Sequence, residues 1–198
     1  VHDGPHLLVW GQTGRGKTVC LRRLIGDLAS RYPPHLLSVV LIDFKGGSAA
    51  IGLDHLPHLA GVLTDLDDHR IRAVSRGLRS EIERRERIFA SKGVADLADL
   101  PDQVACPRTL VVIDEVQVLL QRHPDLVDLI GDVAARGRSL GLHLVVAGQR
   151  LVSGVPRSVV ANSGLRICLG VTDLSEAQEY LPGVSTTDIR ALSNSHPG

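Results

Sequence analysis

The chain has 198 residues, 43% of them hydrophobic and 22% charged, which suffices for one α/β domain with a full core and excludes an intrinsically disordered segment. Its 22 basic residues are matched by 22 acidic ones, so the formal net charge is zero. That balance argues against a domain held to nucleic acid mainly by charge, while a basic rim on a neutral body stays open.

The first predicted strand is residues 6–10 (HLLVW). It runs into Gly11-Gln12-Thr13-Gly14-Arg15-Gly16-Lys17-Thr18, and a helix follows, with Leu21, Leu24, Ile25 and Leu28 at i, i+3, i+4, i+7. Residues 37–43 (LSVVLID) read as the next strand. Segment 65–92 reads as one long helix with an apolar stripe of Ile71, Val74, Leu78 and Ile82. Its other faces interleave arginines with glutamates, which fits a solvated face with i,i+4 pairs or a subunit interface that lends an arginine to a neighbour's nucleotide. Residues 93–108 read as a loop or short irregular helix. Residues 109–113 (TLVVI) form a strand, and Leu126, Leu129, Ile130 and Val133 mark a helix with Pro124 in its first turn. Strands 142–147 (LHLVVA) and 165–169 (LRICL) complete the series. The strand runs are near-continuously apolar, the mark of a parallel sheet covered on both faces. Alternation with helices then predicts a three-layer α/β sandwich.

Cys20, Cys106 and Cys168 are odd in number, far apart and without metal-ligand spacing, which fits reduced thiols in a cytosolic protein. No run approaches the roughly 18 apolar residues needed to cross a bilayer, and no signal peptide is visible. The chain opens on Val1-His2-Asp3 and ends in a turn signal, His196-Pro197-Gly198. The expectation is one domain over 1–198 taken from a longer chain.

Residues 11–18 satisfy G-x-x-x-x-G-K-[ST] at every fixed position, between a strand and a helix, where that pattern cradles phosphates. Glycines allow close backbone approach, so that main-chain N–H groups and the helix N-terminus face the anion. Lys17 is expected on the β- and γ-phosphates of ATP and Thr18 on Mg²⁺. The second half of the site is Leu110-Val111-Val112-Ile113-Asp114-Glu115. Asp114, at a strand's carboxyl end, is expected to hold Mg²⁺, and Glu115 to polarise the attacking water. Strand 142–147 should lie between the strand that leads into residues 11–18 and the strand that leads to Asp114. Gln149 beyond it is then the candidate sensor of the γ-phosphate.

These residues resemble the FtsK/SpoIIIE translocase family, and within it the EccC/EssC ATPases of type VII secretion. Asp43-Phe44-Lys45-Gly46-Gly47 looks like the D-F-K-G-G of the secretion branch. Leu56-Pro57-His58 with Gly61-Val62-Leu63-Thr64, Glu81 with Arg84-Arg85, Gly137 to Leu144, and Gln149-Arg150-Leu151 are similar to further family stretches. Pro197-Gly198 resembles the P-G before a closing strand, which would be missing here. Two positions depart from the pattern: Gly148 stands for the usual threonine or serine, and Val116-Gln117 for phenylalanine and a small or acidic residue. The resemblance implies a RecA-like ATPase working as a ring, with six subunits expected, on the cytoplasmic face of a membrane that anchors the parent protein. It implies a polymer substrate, with secreted protein favoured and double-stranded DNA as the alternative. A third reading, prompted by the neutral surface and the two departures, is a non-hydrolysing nucleotide-bound module. An arginine finger would come from a neighbouring subunit. Arg70, Arg72 and Arg76 are the first candidates, and Arg136 and Arg138 the next.

Overall fold

A computed structural model of the chain describes residues 4–44, 46–64, 68–149 and 155–170, with 177, 178, 180, 181, 183–185, 187 and 188 beyond them. Lys45, Arg150, Leu151 and Pro197-Gly198, quoted above for the resemblance, lie outside the described residues.

All five predicted strands are present. They are β1 (Leu7–Gly11), β2 (Leu37–Asp43), β4 (Arg108–Asp114), β5 (Leu142–Gly148) and β6 (Leu165–Leu169). A sixth, β3 (Leu59–Leu63), was not foreseen. It is short, carries Ala60 and Gly61, and pairs only with β2 at the sheet edge, so it buries one side and leaves no long apolar run to read. The six strands form one parallel sheet in the order β3-β2-β4-β5-β1-β6. As expected, β5 separates β1 from β4.

Both faces of the sheet are covered. Along β1, Leu7 and Val9 point to one face, and Leu8 and Trp10 to the other. The first face receives Leu21 and Ile25 of α1 (Lys17–Arg31) together with Ala49, Ala50 and Leu53. The second receives α2 (Asp68–Lys92), α3 (Val116–Arg122), α4 (Leu126–Leu140) and α5 (Arg157–Ala161). This is the predicted three-layer α/β sandwich. The predicted stripes are the buried ones, each fully buried Leu or Ile contributing about 1.5–3 kcal/mol. In α2, Ile71 and Ile82 are buried, and Val74 and Leu78 are half-buried. Helix α4 begins at Leu126, so Pro124 sits in the turn before it rather than in its first helical turn. Segment 93–108 contains a single 3₁₀ turn, Leu97–Asp99.

One arginine of α2 is fully buried and ties three elements together. Arg85 donates to Glu81 Oε1 at 2.7 Å, to Leu140 O at 2.6 Å, to Pro107 O at 2.8 Å and to Thr109 Oγ1 at 2.7 Å. Glu81 also receives two hydrogen bonds from Arg84, at 2.7 and 2.8 Å. Burial works against the charge of Glu81, but these bonds outweigh it and hold its carboxyl below the usual carboxylate range.

Candidate functional site

The carboxyl ends of β1, β2, β4 and β5 meet at one edge of the sheet, and the residues singled out from the sequence converge there. The turn after β1 begins at Gly11, where a Cβ would come within 2.2 Å of Leu169 O on β6; only glycine lets the chain pass so close. It ends at Gly16, which is left-handed (φ 87) and caps α1 with no side-chain hydrogen bond. The first turn of α1 holds no acidic residue. No acidic side chain of that turn competes with an anion for the helix N-terminus.

Lys17 is buried at 4% exposure, and its ammonium is folded back on its own loop. Nζ donates to Gly11 O at 2.5 Å and to Gln12 O at 3.3 Å, and lies 3.9 Å from Glu115 Oε1. Thr18 Oγ1 donates to Asp114 Oδ2 at 3.3 Å. Gln12, Thr13 and Gly14 are exposed, and Arg15 is half-buried against Gly170.

Asp114 ends β4 fully buried, and its Oδ1 accepts the Glu115 N–H at 3.0 Å. Its pKa is raised by burial and by the nearby charges of Asp43 and Glu115, against the opposing pull of Lys17. Glu115 adopts a left-handed conformation (φ 54), the one non-glycine residue at positive φ among the described residues. Strain of this kind collects at functional sites. Here it turns the chain from β4 into α3 and leaves the carboxylate facing Lys17. Gln149, exposed beyond the end of β5, donates its Nε2–H to Glu115 Oε1 at 3.2 Å.

The donor set fits Mg²⁺. A hydroxyl and a carboxylate, Thr18 and Asp114, already face each other across 3.3 Å. Burial first, and then the charges of Asp43 and Glu115, hold the Asp114 proton more tightly than usual, and a bound cation would offset that negative charge.

Asp43 was quoted in the sequence only as part of a motif. It lies at the site as well, fully buried, in register beside Asp114 across β2 and β4, and accepting the Ala49 N–H at 2.7 Å. The one local hint of it was that predicted strand 37–43 ends in Asp43 and that Asp114 directly follows predicted strand 109–113.

The arginine candidates divide by position. Arg70, Arg72 and Arg76 are exposed on the first half of α2, which follows the carboxyl end of β3. Arg136 and Arg138 lie at the end of α4, which leads into the opposite, amino-terminal end of β5. Arg136 is also engaged with Asp132 and Glu86.

The sequence model of the FtsK/SpoIIIE family matches residues 1–108. The chain is 35% identical to the ESX-4 secretion system protein EccC4 of Mycobacterium tuberculosis (strain ATCC 25618 / H37Rv), over 98% of this chain and 16% of that protein. The cytoplasmic domain of the Thermomonospora curvata type VII secretion ATPase EccC superposes with a TM-score of 0.83 at 34% identity, covering 96% of this chain and 23% of that one. A structure of ATPases 2 and 3 of Thermomonospora curvata EccC, in complex with a signal sequence peptide, gives 0.85 at 29% identity, over 99% of this chain and 36% of that one. The chain thus spans a minor part of the proteins it matches. With the phosphate loop, the acidic strand end and the intervening strand all in place, the chain belongs to the FtsK/SpoIIIE family.

Proposed function

We propose that the chain is an ATP-binding and ATP-hydrolysing motor domain of a translocase ring for type VII protein secretion. The observation that carries this reading is the convergence of Lys17, Thr18, Asp114 and Glu115 at one sheet edge, with the Lys17 ammonium 3.9 Å from the Glu115 carboxylate. The residues take the following roles. Main-chain N–H groups of Gly11 to Thr18 surround the phosphates, and Lys17 leaves its carbonyl partners for the β- and γ-phosphates. Thr18 and Asp114 hold Mg²⁺, which neutralises phosphate charge when bound. Glu115 accepts the proton of the attacking water, and Gln149 exchanges Glu115 for the γ-phosphate when ATP is present. An arginine of a neighbouring subunit, from the Arg70, Arg72 and Arg76 set, completes the site.

The secretion arm of the proposal rests on the relatives: EccC4 is a secretion system protein, and one matching EccC structure holds a signal sequence peptide. By extension, the parent of this chain forms a ring, expected to be hexameric, at the cytoplasmic face of a membrane and takes secreted protein as substrate.

Titration of the chain with ATP by calorimetry, with and without Mg²⁺, tests the binding arm. Lys17→Ala is expected to abolish binding; undiminished affinity would overturn the assignment. Glu115→Gln is expected to bind ATP normally and to lose turnover by about two orders of magnitude or more. Turnover stimulated by duplex DNA with steep salt dependence would replace secretion by DNA translocation. Bound ATP that stays intact for hours in the assembled parent protein would leave only a nucleotide-bound regulatory module.

A further inference from the structure

Gly148 ends β5, immediately before Gln149. Its backbone is not in the left-handed region, so conformation does not call for glycine there. Space does. A Cβ at 148 would lie 2.4 Å from both Nε2 and Oε1 of Gln117, so the amide of Gln117 occupies the place a side chain would take. Gln117 belongs to α3, two residues after Glu115. Gly148 and Gln117, both of which depart from the family pattern, are therefore in contact with each other.

That contact joins the two elements that carry the halves of the Glu115–Gln149 hydrogen bond. Helix α3 is seven residues long, and its start has no side-chain cap. Val116, Leu119 and Leu120 hold it against the core, but apolar contact is non-directional. A planar amide lying on the bare backbone of Gly148 supplies a definite seat.

We infer that Gln117 is a positioning residue whose amide, seated on Gly148, sets the placement of Glu115 against Gln149 and so the pairing of the water-activating carboxylate with the γ-phosphate sensor. This rests on the motor reading above. Because the obstructing atoms are the far end of a flexible side chain, a methyl at 148 displaces the amide rather than the backbone. Gly148→Ala and Gln117→Ala then remove the same thing.

The test is a double-mutant cycle on Gln117→Ala, Gly148→Ala and the pair, in the whole chain at a concentration where it turns over ATP. The readouts are the turnover rate with saturating Mg²⁺-ATP and the ratio of ATPγS to ADP affinity by calorimetry. Each single variant is expected to lose about threefold to tenfold in rate, and a similar factor in the ratio, with ADP affinity unchanged. The double variant is expected to equal either single one. Wild-type rate and ratio in Gln117→Ala would overturn the inference, and so would losses that multiply in the double. Should Gly148→Ala fold poorly, the double must fold like wild type, since removing Gln117 clears the space; a double that still misfolds would also overturn it. A wild-type chain that binds no Mg²⁺-ATP would instead bring down the motor reading, and this one with it.

Discussion

At the scale of single residues, the site is a set of charges whose balance shifts with what is bound. Asp43 and Glu115 lie near Asp114, Lys17 opposes their charge, and burial together with these two carboxylates raises the pKa of Asp114. A carboxyl with its folded-state pKa raised stabilises the fold only while protonated. Its contribution is therefore full at low pH and is lost as the pH climbs from the ordinary carboxylate value through the raised one. Above the raised value the buried charge of Asp114 costs the ligand-free chain stability. Asp114→Asn keeps the acceptor for the Glu115 N–H and removes the charge. It is expected to raise the melting temperature of the ligand-free chain by roughly 2–4 °C, about 1 kcal/mol, and to abolish the further rise that Mg²⁺ and ATP together give the wild type. A variant that melts lower without ligand, or still gains from Mg²⁺, would refute this account. Lys17, Thr18, Asp114 and Glu115 were all legible in the sequence because the motif demands those residue types at that spacing. Asp43 was not assigned there, because its role comes from lying one strand away from Asp114, and strand order is not written in any local window.

At the scale of elements, buried polar groups decide how helices and strands are tied. Arg85 sits on a helix whose arginines suit a solvated face, yet it is fully buried and bonded to three backbone carbonyls, at 2.6, 2.8 and 3.2 Å, besides Glu81 and Thr109. The periodic pattern could not separate it from its exposed neighbours, since its partners beyond α2 come from residues 107–109 and 140–141. Arg85→Ala leaves those buried carbonyls without their donor and Glu81 with Arg84 alone. It is expected to cost about 3–5 kcal/mol in urea unfolding, whereas Arg87→Ala, on the exposed face, should cost less than about 0.5 kcal/mol.

A second tie is His6. Its Nδ1 accepts the Leu144 N–H at 2.9 Å, so its Nε2–H donates to Ala134 O at 3.0 Å; the first bond requires the unprotonated ring, whereas the second survives protonation. Burial lowers the pKa of His6, with a smaller contribution from the nearby His143, which burial also lowers. With folded values below the unfolded one of about 6.5, unfolding takes up protons. The stability these two groups secure is complete above that pH and is lost as the pH falls toward the folded values, at up to about 1.4 kcal/mol per pH unit for each. Urea unfolding between pH 5 and pH 7.5 is expected to show this slope, and His6→Gln should flatten it. An unchanged slope in that variant would remove His6 from the account.

At the scale of the whole molecule, Gln12, Thr13, Gly14 and Gln149 are exposed, and the proposed motor draws an arginine from a neighbouring subunit. Turnover per chain is then expected to rise with chain concentration. Replacing the finger among Arg70, Arg72 and Arg76 by alanine should cost on the order of 10³-fold at high concentration, with ATP affinity preserved, while Arg136→Ala and Arg138→Ala have little effect. Concentration-independent turnover would argue for a site complete within one chain. Trp10, the single tryptophan, immediately precedes Gly11 and packs on Tyr180 with ring centroids 4.7 Å apart, so its fluorescence offers a direct report on nucleotide binding.

By itself the sequence determined the layered α/β architecture, the phosphate loop and the paired acids that end a strand. These are written in local terms: apolar runs too continuous for a half-exposed strand, helical periodicity between them, and a motif whose spacing is its chemistry. Tertiary structure alone decided the rest. It set β3 at the sheet edge, brought Asp43 beside Asp114, buried Arg85 and laid Gln117 on Gly148. Each of these depends on which segments, distant along the chain, become neighbours in space, and the periodicity of a single element carries no record of its neighbours.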